Sequence, residues 1–186
     1  MTPTDRGRRP RRSEAELVRQ VVAYLEHEGY RVRADPDGTD YFDVVARRGD
    51  EVGLVEVKVG RPRAVLAQAV KRRGWGDWCA VAVDSARAAA RLAAATGSSR
   101  AARVGIWSVG PDSVTVHRPA RPWVAPGEDD PFGELRERLR HWLDLVDAGD
   151  LPGSVRWDGV PGAVRRASGG RGFGEWRLDE PAPRDR

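Results

Sequence analysis

Two Val-rich runs with polar residues at alternate positions flank Gly49-Asp50 in the stretch YFDVVARRGDEVGLVEVKV, residues 41 to 59. Alternation with period two predicts half-buried strands, and a Gly-Asp pair between them predicts a two-residue hairpin with a type II′ turn. With that loop, residues whose numbers sum to 99 oppose one another: Arg48 with Glu51, Val45 with Leu54, and Asp43 with Glu56. Side chains alternate along a strand, so Lys58 shares the face of Glu56 and is the diagonal neighbour of Asp43.

Elsewhere the apolar positions recur with the period of a helix. From Ser13, SEAELVRQVVAYLEHEG sets Leu17, Val18, Val21, Val22 and Leu25 on one stripe and stops at Gly29. Ser13 and Glu16 have the spacing of a capping box. A short strand is predicted at 30–33, followed by the turn-rich loop DPDGTD at 35–40. After the hairpin, Pro62 suits the first turn of a helix over about 62–73 with Val65, Leu66, Ala69 and Val70 as its stripe. A strand at 78–83, an Ala-rich helix at 85–96 and a second hairpin, VGIWSVG then VTVHRP turning at Pro111-Asp112, complete a unit over residues 13–123. VAPGEDDP at 124–131 has linker composition, and residues 132–186 read as a small C-terminal appendage. That appendage starts with a helix striped by Leu135, Leu139, Trp142 and Val146 and ends in a Gly-, Arg- and Trp-rich extension.

Composition changes this picture little. No apolar run approaches the roughly 20 residues that span a bilayer. No apolar segment follows the Arg-rich start, so the expectation is a cytoplasmic protein without a membrane span. The single cysteine, Cys79, lies in the apolar run WCAVAV and reads as a small buried hydrophobe. The net charge of +4 arises in the first twelve residues, which hold five Arg and one Asp and read as a disordered basic arm able to touch phosphates; the rest is formally neutral. Of 32 basic residues only Lys58 and Lys71 are lysine, so the lysine at Glu56-Val57-Lys58 stands out. An ammonium is a compact point charge, unlike the planar guanidinium fork.

The chemistry gathers around the hairpin. Opposed carboxylates destabilise a strand pair, and such breaks of a local rule are expected where a cation compensates them. Glu14 precedes Leu17 and Val18 on the inner edge of the first helix; it is either a first-turn acid favoured by the helix dipole or a third site carboxylate. Gln68, Lys71 and Arg72 share one face of the following helix, which either reaches a phosphate or a metal-bound water or is a solvated face, the latter reading being favoured at Lys71 and Arg72 and less so at Gln68. Hard oxygen ligands suit Mg²⁺ or Mn²⁺, and phosphodiester hydrolysis fits carboxylates beside a lysine. His27, His117 and His141 are unpatterned, and there is no Walker-type or GxGxxG loop and no internal repeat.

The order helix acid, strand acid, hairpin turn, Glu-x-Lys, helix resembles the PD-(D/E)xK, or restriction-endonuclease-like, nuclease superfamily. The likeness is nearest to Holliday-junction-resolvase-like and Mrr-like members, through Ser13-Glu14-Ala15-Glu16-Leu17-Val18. It covers residues 13 to 84 and extends toward 118 with peripheral elements; the proline that names the motif is absent, since Phe42 precedes Asp43. The resemblance implies an α/β fold with an αβββαβ core and a mixed central sheet flanked by helices. It also implies a nuclease dependent on Mg²⁺ or Mn²⁺ that acts on DNA, in a family whose members often dimerise. Asp43 and Glu56 would be metal ligands with Glu14 as an accessory ligand, Lys58 the catalytic base or charge stabiliser, and Gln68 the match to a glutamine that some branches carry. The alternatives are a non-catalytic nucleic-acid-binding module that retains the fold, and a plain structural adaptor.

Overall fold

A computed structural model describes residues 12–34, 43–60, 62–95, 100–123 and 132–147. The loop at 35–40, the linker at 124–131, the extension beyond Asp150 and all of the basic arm except Arg12 lie outside the described residues. The first helix, α1 (Glu14–His27), starts at the expected capping box: Glu16 N donates to Ser13 Oγ at 3.2 Å and Ser13 N to Glu16 Oε2 at 2.7 Å. Arg12, just ahead of it, is held by Val109 O and Gly110 O at 2.7 Å and by Gln20 Oε1 at 2.6 Å. Leu17, Val18, Val21 and Leu25 are buried, and each such side chain contributes roughly 1.5–3 kcal/mol. That stripe fixes the position of Glu14 at the helix start.

Six strands follow in sequence as in space: β1 (Arg31–Ala34), β2 (Val44–Arg48), β3 (Glu51–Lys58), β4 (Trp78–Val83), β5 (Gly105–Val109) and β6 (Val114–Arg118). The three central strands run parallel, and the pairings at both margins are antiparallel. Parallel neighbours need crossovers. Two helices supply them, α2 (Pro62–Lys71) between β3 and β4 and α3 (Ala86–Ala95) between β4 and β5. β4 is covered on both faces, and all six of its residues are buried. The protein is thus α/β, with a mixed six-stranded sheet flanked by helices. Among the described residues no helix is long and apolar enough to cross a membrane.

The two faces follow from strand parity. On one, α1 packs over Val44, Ala46, Val55 and Val57 with Trp78 and Trp107. On the other, α2 and α3 bring Val65, Leu66, Ala69, Ala89 and Leu92 over Val45, Val52, Leu54 and Val81. The last helix, α4 (Gly133–Asp147), adds Leu139 and Leu143 to this second core. It therefore packs on the core through these two side chains. Cys79 is 1% exposed in this core, and burial pushes its thiol up to about 12, so it is an inert hydrophobe as its sequence context predicts.

Candidate active site

The hairpin has the predicted register. Arg48 pairs with Glu51 and Val45 with Leu54, and Gly49 takes the positive φ of +60° that a primed turn needs at its first central position. The ladder ends at Val44 and Val55, one pair short of Asp43 and Glu56. The reason is local. Asp43 lies just before β2, and its Oδ2 accepts the Val57 amide at 2.6 Å, a donor that the ladder leaves over. A charge-assisted bond of this kind is worth about twice a neutral one. It holds the Asp43 carboxylate beside β3, where Glu56 and Lys58 share the parity of Val52 and Leu54 and so the side of α2.

Asp43 is 8% exposed and Glu56 3%. Burial raises both acids above their ordinary values, Glu56 to about 7. For Asp43 the Val57 amide and the cations of Lys58 and Arg72 oppose that rise, while Glu14 adds to it. For Glu56 the Arg72 guanidinium opposes and Asp43 adds. Arg72 Nη1 donates to Glu56 Oε1, and Lys58 Nζ donates to Glu14 Oε1. Burial alone would lower Lys58, but Glu14, Asp43 and Glu56 outweigh it and raise the ammonium above its usual value. Lys58 is therefore a cation at neutral pH.

Glu14, Asp43, Glu56 and Lys58 thus come from the start of α1, the residue before β2 and the end of β3 into one electrostatic neighbourhood. Gln68 is half-buried on α2, and no hydrogen bond joins it to these four among the described residues. Its place is taken by Arg72, four residues on, which the helix pattern assigns to a solvated face. Its side chain is instead 17% exposed against Glu56. The signal was the burial of Glu56 itself: an acid at an inward position of a covered strand needs a cation, and the basic residues one turn beyond Gln68 are the nearest supply. The expected set of three ligating carboxylates is not assembled either. Among the described residues no three His, Cys, Asp or Glu side chains are grouped so that they could hold a metal ion, since Glu14 is turned to Lys58 and Glu56 to Arg72.

No family model matches the chain, and neither a curated protein nor a solved structure matches it.

Proposed function

We propose that the protein is a nuclease of the restriction-endonuclease-like class, hydrolysing phosphodiester bonds in DNA with a divalent cation. The observation that supports this best is the convergence of Asp43, Glu56, Lys58 and Glu14 where β2 begins and β3 ends. The order α1, β1, β2, β3, α2, β4 is the αβββαβ order of that class. The site also lies at the carboxyl end of a parallel strand, the usual place for ligands in α/β sheets.

Two buried oxygen donors whose charged forms are disfavoured by burial, and by each other in the case of Glu56, fit Mg²⁺ or Mn²⁺. Asp43 and Glu56 would hold it, since Glu14 is turned to Lys58. Such an ion, when bound, polarises the phosphate and acidifies water. The chain's own groups do the rest. Lys58, as a persistent cation, balances the charge that accumulates on the phosphoryl oxygens, a role its raised pKa suits better than that of a base. Glu14 orients the ammonium, and Arg72 keeps Glu56 ionisable in a buried place.

One observation favours a second reading, a nucleic-acid-binding module without catalysis. Each acid already has a protein partner, so the charges could serve the fold alone. Incubation with duplex, single-stranded and branched DNA and with RNA, in Mg²⁺ or Mn²⁺, separates the two. The nuclease reading expects cleavage that is lost in Asp43→Ala and Lys58→Ala. Binding without cleavage, unchanged in both variants, would establish the module instead.

A further inference from the structure

The formal neutrality of the chain beyond its first twelve residues hides an uneven distribution of charge. Of the 186 residues 28 are acidic, yet α2 and α3 contain none. α2 carries Arg63 and Lys71, and α3 carries Arg87 and Arg91. All four are exposed, and none forms a salt bridge to an acid among the described residues. The nearest acid in sequence, Asp84, lies ahead of α3 and accepts the Gly60 amide at 3.2 Å. α4, on the same side of the sheet, does hold acids but lies toward the hairpin turn, where Arg140 reaches Asp50 O. On the other side α1 has the reverse sign, since Glu14, Glu16 and Glu26 outnumber Arg19.

Two of the four cations work against a local rule. Arg63 and Arg87 are each the second residue of their helix, and the first turn favours an acid because the macrodipole is positive there. α1 and α4 follow the rule with Glu14, Glu16 and Glu134. Such a conflict is expected where an anion from outside compensates it. Lys71 and Arg91 carry the charge on along both helices. At about 1.5 Å per residue Arg63 and Lys71 are roughly 12 Å apart along the axis, and Arg87 and Arg91 roughly 6 Å. α2 and α3 are neighbours, and packed helices have axes about 8–10 Å apart. That spacing lies between the widths of the two grooves of a duplex, about 6 and about 12 Å, so each row of cations can meet a different strand. The exposed positions among them are Ala64, Ala67, Ala90 and Ala94, which leave the surface open to a large polyanion. They also argue against other acidic partners. A membrane-binding face sets Trp, Phe or Leu beside its cations, and a protein interface is anchored by aromatic residues in pockets.

We infer that the exposed face of α2 and α3 holds the phosphate backbone of duplex DNA by charge and without reading sequence. Arg72, next to Lys71, donates to Glu56, so this face runs up to the acid site on the same side of the sheet. The choice of DNA as the polyanion rests on the proposed function, but the surface is tested by binding alone.

Fluorescence anisotropy of a labelled duplex titrated with the full chain in EDTA, from about 50 to 200 mM salt, tests it. The affinity of the wild type should fall steeply with salt. Each of Arg63→Gln, Lys71→Gln, Arg87→Gln and Arg91→Gln should reduce the slope of log K against log salt by about one, and the fourfold variant by about three to four. Glutamine is close to lysine and arginine in helix propensity, and circular dichroism checks that the variants fold. Arg19→Gln, which removes an exposed cation from α1, should leave the slope unchanged. Because EDTA withholds the divalent cation, the expected loss in the fourfold variant supports this face whether or not any DNA is cut. Cleavage that persists undiminished in the fourfold variant overturns the face and leaves the nuclease reading in place. An unchanged slope in the fourfold variant, an equal drop in Arg19→Gln, or no duplex binding by the wild type would each overturn the assignment.

Discussion

Arg72 donates through Nη1 to Oε1 of Glu56, a carboxylate that is 3% exposed at the inner end of β3. Removing one partner of a buried ion pair leaves the other charge uncompensated, at a cost of about 3–5 kcal/mol. Because Glu56, at about 7, can take up a proton once the guanidinium is gone, Arg72→Met is expected to lose only about 1–2 kcal/mol in urea denaturation at pH 8. At pH 5.5 Glu56 is neutral, and the loss should shrink to the small difference in packing. An equal loss at both pH values would mean that the guanidinium acts through its stem and not its charge.

The same carboxyl sets a pH dependence. Burial first, with Asp43 adding and Arg72 opposing, raises Glu56 to about 7 from an ordinary 4.5. The folded chain therefore binds this proton more tightly than the unfolded chain. The contribution is fully present below about pH 4.5 and is lost as pH rises through 7. At about 1.4 kcal/mol per unit the loss is roughly 3 kcal/mol. Stability measured by urea across this window should fall more steeply in the wild type than in Glu56→Gln, and Mg²⁺ should reduce the difference by favouring the ionised form. Parallel curves for the two proteins would rule out Glu56 as the source.

Lys58 is held as a cation by Glu14, Asp43 and Glu56 against the effect of burial. A charge stabiliser and a general base then differ in pH profile. If the proposed nuclease activity holds, cleavage by the wild type should show no rising limb between pH 7 and 9 from a lysine losing its proton. Lys58→Gln should fall on the order of 10²–10³-fold at every pH while keeping its fold. A rate that climbs with pH in the wild type and stays flat in Lys58→Gln would identify Lys58 as the base.

Much of this arrangement is legible in the chain because it is set by local rules. The turn at Gly49 and Asp50 fixes the hairpin register, and the capping box fixes where Glu14 stands, so four of the five charged site residues follow from turn chemistry, parity and capping. What escapes is non-local. Arg72 looks like part of a solvated helix face because nothing in residues 62–73 reveals that Glu56 is buried beneath it. The end of the ladder at Val44 depends on a side chain, that of Asp43, competing for a backbone donor. Pairings across a sheet edge and docking of a distant helix have no period to read. Leu135, Leu139, Trp142 and Val146 form the helical stripe read in sequence, but only the folded chain identifies the core that Leu139 joins, and Leu143 with it.

Gly53 is required by an indole. Trp78 lies against it from the neighbouring strand, and a Cβ at residue 53 would stand 2.0 Å from Trp78 Cζ2 and 2.2 Å from Cε2. The ring cannot give way cheaply, because it is itself packed between Tyr30 and Trp107. Gly53→Ala should destabilise the protein by about 1–3 kcal/mol, the usual cost of overpacking. Thermal or urea denaturation reads this directly, and a neutral outcome would mean that Trp78 has room to turn.

Asp77 joins the last helix to the hairpin. Its Oδ2 accepts the Val52 amide at 2.7 Å, Arg140 Nη2 donates to both carboxylate oxygens at 2.8 and 2.9 Å, and Arg136 Nε stands 3.3 Å from Oδ1. Arg140 also reaches Asp50 O at the hairpin turn at 2.6 Å. Arg136 is 4% exposed, so removal of the acid leaves a buried cation without this countercharge. Asp77→Ala should cost about 2–3 kcal/mol, and Asp77→Asn less, because an amide oxygen can still accept from Val52. The loss should be uneven along the chain. Leu139 and Leu143 keep α4 on the core, but without Asp77 this helix becomes the first element to open. Hydrogen exchange should therefore rise across Gly133–Asp147 in Asp77→Ala while the amides of β3 and β4 away from Val52 stay protected. Uniform loss of protection would instead show that α4 unfolds only together with the sheet.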